Sequence, residues 1–133
     1  MPYDLTWEPR GVYRRYWGDV SIDERRESFD RIFADPRFDE LLFTITDYLD
    51  VRQYEITDAA TEEIAALHVG PTETNPRLLI AAVVTEPRIV KAIEHFIALD
   101  MTRTPYRIFS NVAAARAWIA LNQRPPLPRA PRL

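Results

Sequence analysis

An α/β domain built on one mixed sheet is what this sequence predicts, and three observations predict it. Runs rich in β-formers alternate with segments of helical period from residue 3 to residue 121. One run, residues 78–84, is apolar without interruption, as expected of a strand in a parallel sheet covered on both faces. The first two β-rich runs are separated only by Pro9-Arg10-Gly11, which marks a hairpin and so an antiparallel edge. The expected order of elements is ββαβαβαβα, giving a mixed sheet of five strands with four helices.

Residues 3–8 and 12–17 supply the hairpin, and Gly18 closes its second strand. Ser21 and Glu24 stand at capping-box spacing, so a helix is expected over 21–34. Ile22, Phe29, Ile32 and Phe33 form its inner stripe, which assigns Arg25, Arg26, Glu27, Asp30 and Arg31 to solvent. Pro36 stops it. A strand over 41–46 follows, then a long polar loop over 47–56. Thr57-Asp58 opens a helix over 58–69 with Ile64, Leu67 and His68 on its inner side, and Gly70-Pro71 ends it. The apolar strand 78–84 is the expected centre of the fold. Thr85-Glu86-Pro87 starts the third helix, with Thr85 as its cap, and the helix stripe is Ile89, Val90, Ile93, Phe96 and Ile97. A short strand over 105–109 and a helix from Ser110 or Asn111 to about 121 complete the domain.

A chain of 133 residues holds one core, so residues 1–121 form one domain and the proline-rich segment 122–133 is an extended tail. Seventeen basic against twenty acidic residues leave a net charge of −3, which argues against nucleic acid as a partner. With no cysteine there are no disulfides, thiolate nucleophiles or thiolate metal sites. The apolar runs are too short for stable membrane insertion, and the first residues lack a signal-peptide pattern, so a cytoplasmic location is expected. His68 and His95 lie 27 residues apart without a second ligand nearby, so both are read as helix-surface or boundary residues and no metal or cofactor is expected.

Open α/β sheets bind ligands at the carboxyl ends of their strands. The candidate binding residues there are Asp47, Tyr48, Asp50, Arg52 and Tyr54 of the 47–56 loop, with Thr85 and Ser110 at the next two strand ends. Asp47 and Thr85 have the placement of a phosphoacceptor and its switch residue. A receiver domain also needs an acidic pair after its first strand and a lysine after its last, and this chain has Glu8 and Ser110 instead. Glu62 and Glu63 point in different directions from one helix and are read as a solvated face. Trp7, Trp17 and Trp118 are read as core aromatics, with Trp17 the one nearest the strand ends.

The element order, together with Asp47 closing the third strand, Asn75-Pro76 before the apolar strand and Thr85-Glu86-Pro87 after it, resembles the STAS and SEC14-like (CRAL-TRIO-related) family. Tyr106-Arg107-Ile108-Phe109 followed by Ala115-Arg116-Ala117-Trp118-Ile119 completes the likeness to its small bacterial SpoIIAA-like members, which spans residues 3–121. The resemblance implies a STAS-like domain acting as a binding or regulatory module. Its SEC14 side implies a carrier of a small apolar or lipid-like ligand. In the anti-sigma-factor antagonists of the family, a serine directly after the strand-end Asp carries a regulatory phosphate. Here Tyr48, Leu49 and Asp50 follow Asp47, so that phosphoserine switch is not carried over.

No nucleophile–base pair, metal cluster or phosphate loop is visible, so a non-catalytic module is the expectation. The partner is a protein, a homodimer included, or a small apolar ligand. An enzyme using Asp47 or Asp50 as a general base is the remote alternative.

Overall fold

The computed structural model describes residues 2–123; the proline-rich stretch read as a tail lies outside them from Arg124 onward. The strands are β1 (Tyr3–Glu8), β2 (Gly11–Val20), β3 (Phe43–Tyr54), β4 (Leu79–Val83) and β5 (Tyr106–Phe109). The helices are α1 (Ile22–Phe33), α2 (Asp58–Thr74), α3 (Pro87–Ala98) and α4 (Val112–Asn122), with a 3-10 turn at Pro36–Glu40. The order ββαβαβαβα is therefore the observed one. The sheet runs β1-β2-β3-β4-β5, with β1 antiparallel to β2 and the remaining pairs parallel.

Each crossover after β2 advances one place in the same direction, so connections of the usual right hand deliver α1, α2 and α3 to one face of the sheet. Packing agrees. Ile32 of α1 meets Val12 and Ile80, and Ile89 and Ile93 of α3 meet Tyr16, Tyr48 and Ala82. Only α4 folds back over the opposite face, where Ala115 and Ile119 cover Phe43, Ile45, Leu79, Ala81 and Val83. Residues of β4 are buried throughout because helices lie on both sides of it, as its apolar run requires. The middle of the sheet is β3, and β4 lies one place to the side.

Several local expectations are corrected. Residues 47–54 are not a loop: β3 continues to Tyr54 and stays paired with β2 as far as Val20↔Tyr54, whereas β4 leaves it at Asp47↔Val83. A two-stranded ribbon thus projects past the rest of the sheet, bent by register shifts at Arg15/Trp17 and Gly18/Asp19, with Gly18 at φ 63°. Of the charged residues read as loop, Asp50, Arg52 and Glu55 are exposed and Asp47 is buried. Nor does α2 stop at Gly70-Pro71. It runs on to Thr74, with the Thr72 hydroxyl donating to the His68 carbonyl (2.7 Å), while Leu67, expected inside, is exposed. Glu86 rather than Thr85 caps α3, and Asn111 caps α4. The Ser21–Glu24 capping box is present as expected. No described helix is long and apolar enough to cross a membrane.

Candidate functional site

Even-numbered positions of β2 point toward the three-helix face, so Arg14 lies between Val12 and Tyr16 in the interior, only 4% exposed. Its Nε and Nη2 donate to the Thr46 hydroxyl (3.2 and 2.8 Å), and its Nη1 donates to the Ser28 hydroxyl (2.9 Å). The guanidinium also lies 4.1 Å from the centre of the Phe29 ring and 5.0 Å from that of Tyr16. Every one of these partners is neutral.

Arg25 enters the same space from α1 and is 7% exposed. It belongs to the inner stripe, not to the solvent face, because Ile22, Arg25, Phe29 and Ile32 follow helical spacing. Its Nη1 donates to the Glu55 carbonyl (3.1 Å), its guanidinium lies 4.4 Å from the Tyr54 ring centre, and its buried Nε has no hydrogen-bond partner. Neither arginine forms an ion pair among the described residues. Burying a charge costs several kcal/mol. A desolvated cation–π contact returns about 2 kcal/mol, so the rings offset only part of that cost.

Both arginines line one cavity of about 40 Å³ between the sheet and α1, α2 and α3. Thr44, Thr46, Thr61, Tyr48, Tyr54 and Tyr106 line it together with apolar Phe29, Ile64, Ile80, Ile93 and Phe96. No aspartate or glutamate among the described residues does. Burial holds the Tyr54 and Tyr106 phenols well above their ordinary value, so both remain protonated donors at neutral pH. His68, the remaining polar lining residue, is interior, as its expected place on the inner side of α2 requires, and is not a surface or boundary histidine. It is packed edge-on against Phe29, Phe33 and Phe96, with ring-centre distances of 4.6, 5.2 and 5.0 Å. Desolvation lowers its pKa to about 4, so the ring is neutral and its Nδ1–H donates to the Ile64 carbonyl at 2.7 Å. The cavity is positive by two guanidinium charges, with nothing opposing them in its walls.

The structure does not bring the seven predicted residues together. Tyr48 and Tyr54 line the cavity. Asp47 points to the opposite face of the sheet, where it accepts a hydrogen bond from the Tyr13 hydroxyl and another from the Leu49 amide (2.9 Å). Burial first, and then this carboxylate, push the Tyr13 phenol upward. Asp50 pairs with Arg15 at 2.6 Å and Arg52 with Asp19 at 3.5 Å on the exposed ribbon. Thr85 and Ser110 are exposed at the ends of their strands.

Arg14, Arg25 and His68 are the site residues that sequence reasoning missed. Their signal was positional: Arg14 alternates with Val12 and Tyr16, and Arg25 falls in the stripe of Ile22, Phe29 and Ile32. No group of three or more metal-ligating side chains occurs among the described residues. No protein-family model and no curated protein matches this sequence.

Proposed function

We propose that this chain is a non-catalytic, STAS-like binding module whose ligand occupies the cavity between the sheet and α1, α2 and α3. The observation that carries this reading is a cavity lined by hydroxyl-bearing residues and by two buried arginines that form no ion pair among the described residues. Structural need alone accounts for Arg14, which ties β2 to β3 and α1, but leaves the Arg25 Nε without a purpose. The element order and mixed sheet support the STAS-like assignment.

The walls contain hydrogen-bond donors and apolar surface but no nucleophile paired with a base, which favours binding over turnover. The volume favours a small molecule over an acyl chain, since pockets for drug-sized ligands are roughly 300–1,000 Å³. The exposed ribbon end, with Asp50, Arg52 and Gln53, is the surface on which a regulatory protein partner would read the state of the cavity, because Tyr54 joins the two.

Native mass spectrometry of gently purified protein tests the ligand reading. The expected result is a small-molecule adduct on the wild type that is lost in Ala92→Phe, a substitution that fills the cavity from α3. A bare chain mass in every preparation, together with a melting temperature unmoved by small anions, cations and neutral compounds, would overturn it.

A further inference from the structure

We infer that the cavity takes a short monocarboxylate, its carboxylate held between Arg14 and Arg25 and its carbon chain directed toward Ile64, Ile80 and Phe96; this rests on the cavity being the ligand site. Three independent features point to an anion. Two guanidinium groups, each more than nine-tenths buried, converge on one space and lack any carboxylate partner among the described residues. The Arg25 Nε is a buried donor with nothing to donate to. Apart from the neutral His68, the remaining polar lining residues carry hydroxyls able to donate, and no acidic side chain among the described residues lines the cavity to attract a cation.

Size and shape select a carboxylate among anions. A water needs roughly 10–15 Å³, so about 40 Å³ admits three or four water-sized groups, the scale of formate or acetate. A guanidinium fork matches a planar carboxylate with two parallel bonds. Phosphate is tetrahedral and carries oxygen on every side, so donors would have to surround it, whereas one wall of this cavity is apolar Ile64, Ile80, Ile93 and Phe96. A carboxylate presents its charge on one side only and leaves a hydrocarbon for the apolar wall.

Calorimetry and thermal melts with sodium formate, sodium acetate, inorganic phosphate and the neutral isostere acetamide test this on wild-type protein and on Arg25→Met and Arg25→Lys. The carboxylates are expected to bind and to raise the melting temperature, and acetamide to bind roughly tenfold more weakly or worse. Arg25→Met should weaken acetate binding roughly tenfold or more. Without ligand it should melt at or above the wild type, because an uncompensated buried charge has been removed. Arg25→Lys keeps the charge and removes the fork, so it decides the matter if the Met variant does not fold. Its affinity for acetate should fall severalfold, and unchanged affinity overturns the assignment.

Equal binding of acetamide would overturn the anion while leaving a ligand cavity in place, and phosphate binding tighter than either acid would overturn the carboxylate. An adduct seen by native mass spectrometry with no response to any acid would also remove the carboxylate alone. No adduct and no response to any compound would remove both readings.

Discussion

His68 and Asp47 show how differently two polar side chains behave once their surroundings are known. The neutral His68 ring sits among aromatic rings with a folded-state pKa of about 4, against an ordinary value of 6.5. Between those values the unfolded chain binds a proton that the folded chain refuses, so stability from this residue is complete above about pH 6.5 and is lost as the pH falls toward 4. The full effect is about 3 kcal/mol. Melting temperatures measured between pH 7.5 and 4.5 should fall more steeply for the wild type than for His68→Leu, which has no group to protonate; parallel curves would show that the ring titrates normally. Asp47, read from sequence as a ligand contact, accepts from Tyr13 and from the Leu49 amide instead. Asp47→Ala should therefore cost about 1–3 kcal/mol in urea unfolding and leave ligand affinity unchanged in the protein that remains folded. Loss of affinity at full stability would return Asp47 to the site.

The end of α2 shows why a helix can outlast its stop signals. Gly70-Pro71 reads as a terminus, but proline removes only one amide and constrains the residues before it, and the turn beyond is fastened elsewhere. Asn75, at the C-cap and 1% exposed, donates from Nδ2 to the carbonyls of Phe38 (2.9 Å) and Leu41 (2.8 Å). Those two bonds hold the last turn of α2 against the 3-10 turn that leads into β3. Asn75→Ala should destabilise by about 2–4 kcal/mol, because it leaves two carbonyls without this donor and opens a gap among Leu41 and Leu78. Chemical denaturation would measure it, and a loss below about 1 kcal/mol would show that the helix end holds without the side chain. Asn75-Pro76 was legible only as the punctuation before an apolar strand, since its partners lie 34 to 37 residues earlier.

At the scale of the molecule, a strand order that never reverses places three helices on one face, and those helices enclose the cavity. The strand-end crevice expected of doubly wound sheets arises where the order reverses, and here the crossovers supply no such point. This is the physical reason that the predicted strand-end cluster disperses and the site lies beneath the helices. The integrity of that arrangement depends on β4. Val83→Asp, at a position with no exposure and α4 above it, should abolish soluble expression, since the carboxylate would be buried without a partner at a cost of several kcal/mol. A soluble variant with a wild-type melt would show that the strand is not covered on both sides. By itself the sequence determined the class and order of the elements, because periodicity, caps and an unbroken apolar run are local signals that neighbouring residues carry together. Two arginines meeting in one cavity was a decision of tertiary structure alone. Arg14 and Arg25 come from a strand and a helix whose faces become interior only when α1 folds onto the sheet, and before that packing is known each is an ordinary charged residue.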